Sequence, residues 1–238
     1  MDVLPQEPRR IPRVIGACLV YSGGTMKTLA LLGTVTGIAL FAGIRLYATV
    51  LTVGLCLRYG LLHLPQELSS LAVLAHPYVL VAAGVCAVME FLADKLPWVD
   101  SLWDAVHAFL RPAGAALIAF AAVGRLDPAA EIAVILLCGG VAFSSHTAKA
   151  GARLLVNQSP EPFSNILLSL FEDVLVVGGS YTAVAHPLAM LAVVAVGGSY
   201  AAVAHPLAVL TVVAAFLGLF ALVARRIYRR LRRDPAPP

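Results

Sequence analysis

Uncharged positions run in long blocks along this chain, and ionisable ones return at helical intervals between them. Seventeen residues from Thr28 to Ile44 carry no charge, Arg45 interrupts, and twelve more uncharged residues follow to Leu57. Blocks of this length predict membrane-spanning helices, since about 20 apolar residues cross a bilayer. An arginine in mid-stretch costs a few kcal/mol at the bilayer centre unless paired or hydrated. The segment is therefore expected to bend or break around Gly43, Ile44 and Arg45. Gly33 and Gly37 form a small-xxx-small pair that permits close helix contact. Further spans are expected from Leu71 to Met89 with a start at Pro77, from Ser101 to Val123, from Asp127-Pro128 to Leu155, and from Phe163 onward. Residues 174–224 contain no Asp, Glu, Lys or Arg.

The ionisable residues that interrupt these blocks fall on single helix faces. Asp100, Asp104, His107 and Arg111 are spaced by 4, 3 and 4; His146, Lys149, Arg153 and Asn157 by 3, 4 and 4; Glu161, Asn165, Ser169 and Glu172 by 4, 4 and 3, with Asp173 adjacent. Glu90 and Asp94 end the second span, and Lys95 follows. Each segment thus has an apolar majority suited to lipid and a polar stripe that must face other stripes or a wet cavity.

Composition fits this pattern. The 238 residues are 60% hydrophobic and only 13% charged, with mean hydropathy +0.89, whereas soluble domains carry about a quarter charged residues. The net charge of +4 is concentrated in Arg225, Arg226, Arg229, Arg230, Arg232 and Arg233. A short basic run beside an apolar helix orients it and touches anionic lipid, so no nucleic-acid partner is expected and the C-terminus is expected in the cytoplasm. Cys18, Cys56, Cys86 and Cys138 show no paired spacing, which suggests neither a disulfide framework nor a zinc site. No cofactor fingerprint, nucleophile elbow or phosphate loop is present, and neither enzyme chemistry nor a metal is expected.

Residues 1–25 read as an N-terminal extension without structural role, because Met26-Lys27-Thr28 before an apolar run has the form of a chain start. The Ile15-Gly16-Ala17-Cys18 sequence lacks the preceding apolar region that a lipoprotein signal needs. Residues 26–224 form one transmembrane domain and 225–238 a basic tail. Within the domain, Gly178-Gly179-Ser180-Tyr181 and the eight residues after it recur 19 residues later, at Gly197-Gly198-Ser199-Tyr200, with one difference. This is a tandem duplication within residues 178–210 rather than a solenoid, which needs at least three units. His186 and His205 precede prolines and are expected at helix ends. Even crossings are required if both termini lie inside. The added 187–204 segment is therefore expected to be re-entrant or packed alongside, or the Arg45 segment to be a hairpin.

The chain resembles the DUF4126 family of small bacterial membrane proteins. The residues that carry the likeness are Glu90-Phe91-Leu92-Ala93-Asp94-Lys95-Leu96-Pro97, 100–104 with His107, Arg111-Pro112-Ala113-Gly114, His146-Thr147-Ala148-Lys149-Ala150, 157–169, and Glu172-Asp173. The likeness runs from about Leu29 to Asp173; it implies the bacterial inner membrane and no established activity. The duplication after Gly178 departs from the family pattern.

The expected fold is an all-α polytopic bundle of about six crossings, with broken or re-entrant helices and room for an inverted 3+3 repeat that sets Gly37 and Phe41 opposite Gly139 and Phe143, and Glu90 opposite Glu172. The expected function is a small secondary transporter or translocase of an anionic, carboxylate- or phosphate-bearing substrate. Arg45, Arg111, Lys149, Arg153 and Asn157 would hold the anion. Glu90, Asp94, Lys95, Asp100, Asp104, His107, His146, Glu161, Asn165, Ser169, Glu172 and Asp173 would form a polar network for coupling protons or cations. The alternative is a non-transporting scaffold or assembly factor whose ion pairs only fix helix register. Lipid is the expected partner, and a homo-oligomer is compatible with the sequence.

Overall fold

The computed structural model describes residues 24–93, 97–124, 126–156 and 162–204, with Arg225 and Arg229. Among them all regular structure is helical: α1 (Gly24–Ile44), α2 (Leu46–Arg58), a 3-10 segment (Gln66–Ala75), α3 (Pro77–Ala93), α4 (Pro97–Val123), α5 (Pro128–Val156), α6 (Pro162–Ala185) and α7 (Pro187–Ala204). Four helices are long and apolar enough to cross a membrane, or five if the 3-10 segment and α3 are one bent span; α2 and the 187–197 part of α7 are shorter apolar helices. This count covers the described residues only; residues 205–224, the end of the uncharged 174–224 stretch, lie outside them.

Prolines set most boundaries. α3, α4, α5, α6 and α7 each begin at a proline, where the missing N–H is no loss and the fixed φ suits a first helical turn. His76 is extended, with ψ 135, as a residue before proline prefers. The chain there bends by 63°, so the expected second span is divided at Pro77. Asp127 caps α5, its carboxylate accepting the Ala129 N–H at 3.1 Å. The α6–α7 elbow falls on His186-Pro187, as expected; His205 lies outside the described residues.

α1 is the central helix, with small residues buried around its circumference: Gly33, Thr34, Thr36, Gly37, Ala39, Ala42 and Gly43. In lipid there is no hydrophobic drive between helices, and close backbone approach supplies the packing energy instead. A Cβ on Gly43 would overlap the Ala142 carbonyl and the Ser145 hydroxyl of α5, and one on Gly179 would enter the Phe41 ring. α1 and α6 run antiparallel, with Gly37 against Ala183, Phe41 against Gly179, and Arg45 against Ser169. α7 packs mainly on α1, with Pro187 at Gly33 and Met190 at Gly37.

The helix breaks at Arg45, which is extended (φ −146°, ψ 96°) between α1 and α2. By Glu67 the chain has returned to the first turns of α1, where Lys27 pairs with it at 3.1 Å. The Arg45 segment is therefore not one continuous crossing.

The duplication copies the end of α6 and the start of α7. Removing residues 178–196 puts Gly198 in the place of Gly179, Ala202 in that of Ala183, and His205-Pro206 in that of the elbow. We expect the deletion variant to be expressed in membranes and to melt within a few degrees of the full chain. Loss of folded protein on size-exclusion chromatography would show that the duplication has become structural.

Candidate functional site

The stripes face inward. On α4, Leu102, Phe109 and Leu117 are 69%, 68% and 68% exposed, while His107, Arg111, Ala115, Ile118 and Ala122 are buried. On α6, Leu167, Phe171 and Val174 are exposed, whereas Ser169, Glu172 and Val176 are buried. A helix with an apolar outside and a charged inside inverts the soluble pattern and matches a lipid surround. His146, Lys149 and Arg153 of α5 are buried likewise.

One cluster forms around Arg111, which is fully buried at mid-helix. Its guanidinium donates to Glu90 of α3 at 2.8 Å, to Asp104 of α4 at 3.0 Å, and to His146 Nδ1 of α5. Accepting that bond leaves His146 to carry any neutral-ring proton on Nε2. Arginine suits the position because its five N–H groups in a rigid fork address three acceptors on three helices. Glu90 is wholly buried, and its second oxygen, Oε2, has no hydrogen-bond partner among the described residues. Asp104 is 14% exposed. Beside it the His107 ring stacks on Trp103 at 4.4 Å and meets Tyr47 edge-on. The Trp103 carbonyl takes the His107 Nδ1–H at 2.8 Å, so in the neutral ring Nε2 accepts from the Tyr47 hydroxyl at 3.3 Å.

A second cluster forms around Glu172 at the α1–α2 break. Arg153 addresses the carboxylate side-on, at 2.9 Å through one nitrogen and 3.5 Å through Nε. Lys149 and Arg45 lie 3.5 and 3.6 Å from the same oxygen, Oε2. Arg45 also donates to the Ser169 hydroxyl at 2.9 Å and ion-pairs with Asp173 at 3.1 Å. A broken helix leaves its last carbonyls without intrahelical partners. One of them, that of Ile44, accepts from Lys149 at 3.2 Å. Charge in these two clusters balances among the described residues: Arg45, Arg111, Lys149 and Arg153 against Glu90, Asp104, Glu172 and Asp173.

Thus Arg45, Arg111, Lys149, Arg153, Glu90, Asp104, His107, His146, Ser169, Glu172 and Asp173 are brought inward by α3, α4, α5, α6 and the α1–α2 break, in or beside the two clusters. Asp94, Lys95, Asn157 and Glu161, and the side chains of Asp100 and Asn165, lie outside the described residues. Sequence reasoning missed Tyr47, an uncharged residue in an apolar block, and Trp103, one position off the polar stripe. It also missed a cavity of about 800 Å³ at the opposite end of α1, lined by Lys27, Thr34, His63, Glu67 and the 184–189 elbow. That cavity is remote from the charge clusters. Among the described residues no group of three or more His, Cys, Asp or Glu is arranged to hold a metal.

Replacing Arg111 alone leaves Glu90 and Asp104 uncompensated, and breaking a buried pair costs about 3–5 kcal/mol. Arg111→Met should therefore be strongly destabilising in thermal or steric-trapping unfolding. Arg111→Met with Glu90→Leu should recover most of the loss, because Glu90 is wholly buried whereas Asp104 is 14% exposed. Additive losses would mean that Glu90 is not Arg111's energetic partner.

No curated protein and no solved structure matches this chain. Residues 32–196 match the family described as Domain of unknown function (DUF4126). This range includes every inward-facing ionisable residue of both clusters, and with well over half of the chain inside it, the protein is a member of the DUF4126 family.

Proposed function

We propose that this protein is a small secondary transporter or translocase of the bacterial inner membrane, with a cytoplasmic C-terminus, acting on a carboxylate- or phosphate-bearing substrate. The observation that carries the reading is the crowding of Arg45, Lys149 and Arg153 on one oxygen of Glu172. Three cations around a single carboxylate, beside a broken helix, are a preformed anion cradle with a side chain standing in it. Broken helices at membrane depth serve ion and substrate sites in transporters. In this mechanism a substrate anion competes with Glu172 for the guanidinium fork of Arg153 and the charge of Lys149. Arg111 holds Glu90 and Asp104 in a neighbouring cluster suited to coupling protons or cations, with His146 and His107 as relays. Asp104 and Asp173, 14% and 28% exposed, lie at the wet end of this path, and Glu90 at the dry end. Glu90 and Glu172, opposite one another in a comparison of halves, each accept from a buried arginine, which supports an inverted arrangement.

A scaffold or assembly role is the second reading, favoured by the balance, among the described residues, of four cations against four carboxylates. Such a network would be closed, with no route for a free anion. The two readings separate on Glu172→Ala. Removal of this carboxylate leaves three cations crowded together, and the variant should melt below the parent. On the carrier reading, acetate or inorganic phosphate should restore several degrees of the loss relative to chloride, since a ligand that binds only the folded state stabilises it. Absence of rescue by every anion tested, with the variant still folded, would favour the scaffold.

A further inference from the structure

Three cations address Glu172, but they do so differently. Arg153 meets the carboxylate side-on, and Arg45 shares itself among Glu172, Asp173 and Ser169. Lys149 bridges the carboxylate to the end of a helix, with Nζ 3.2 Å from the Ile44 carbonyl oxygen and 3.5 Å from Glu172 Oε2. Its side chain is 2% exposed. Both groups named here are hard oxygen acceptors. One sits at the C-terminal end of α1, where the aligned peptide dipoles leave negative partial charge. The extended conformation of Arg45 is what frees that carbonyl from the helical ladder. Released carbonyls at half-helix C-termini, together with a carboxylate, are the oxygen set that coordinates sodium in broken-helix transporters. Ser145, one turn before Lys149 on α5, is buried against Gly43 of the same α1 end and adds a hydroxyl to the neighbourhood.

We infer that the Lys149 ammonium occupies a monovalent-cation site built from the Ile44 carbonyl and the Glu172 carboxylate, a tethered cation standing where a free sodium ion would otherwise bind. If the transporter reading holds, on which this consequence rests, the tethered charge of Lys149 keeps sodium from serving as a coupling ion at this position.

The test uses the purified full chain and compares sodium with choline chloride at matched ionic strength. The parent should melt at the same temperature in both salts. Lys149→Ala vacates the site, so its melting temperature should rise with sodium but not with choline, by about 3–5 °C for each tenfold increase above the dissociation constant. Lys149→Gln, which fills the space and keeps a donor for the Ile44 carbonyl, should not respond to sodium. A parent stabilised by sodium as much as Lys149→Ala would overturn the inference. So would a folded Lys149→Ala variant indifferent to sodium, or one that fails to fold even in sodium. A sodium response in Lys149→Ala together with no anion rescue of Glu172→Ala would keep the cation site and discard the anion carrier.

Discussion

A charged side chain inside a lipid-facing bundle must find its counter-charge within the protein, and Arg45 makes that requirement structural. With no water in the hydrocarbon layer, backbone and side-chain polar groups alike need internal partners. Arg45 sits at the end of α1 and is 1% exposed. The chain meets the requirement by breaking the helix there, which brings the guanidinium to Ser169, Glu172 and Asp173 of α6. The carbonyl released by the break is then answered by Lys149 from α5. One residue thereby ties α1, α2, α5 and α6 together, and the small residues of α1 let those helices approach closely enough for the ties to close.

The same constraint explains why the site lies where it does. Helix packing alone would be satisfied by apolar contacts, and buried ion pairs are often replaceable by them without loss. Gathering ten ionisable side chains among the described residues, four of them basic, four acidic and two histidines, inside the bundle costs desolvation that packing does not require. That cost is the physical reason for reading the clusters as a working site rather than as mortar.

Much of this was legible in the sequence because two signals reinforce each other. Offsets of three and four among Asp104, His107 and Arg111, and among His146, Lys149 and Arg153, specify faces, and lipid dictates which way those faces point. The break at Arg45 and the elbow at His186-Pro187 were legible for similar reasons, a charge in an apolar run and a proline after a helix. Pairing was not legible. Nothing in the spacing says that Arg111 takes Glu90 while Arg153 takes Glu172, since those choices depend on how helices from distant parts of the chain are set side by side. The return of the chain to Lys27 was legible only as one alternative, a hairpin at Arg45; the 3-10 segment and its 63° bend depend on tertiary packing that a hydropathy pattern does not encode.

The central claim is that each helix turns its charged face inward and its apolar face to lipid. Oxygen accessibility of spin labels placed one at a time along α4, in a chain without its native cysteines and reconstituted in bilayers, tests it most directly. The account predicts a helical period with maxima at Leu102, Phe109, Leu117 and Phe120 and minima at His107, Arg111, Ala115 and Ile118. Maxima in phase with His107 and Arg111, or no period along the helix, would contradict it.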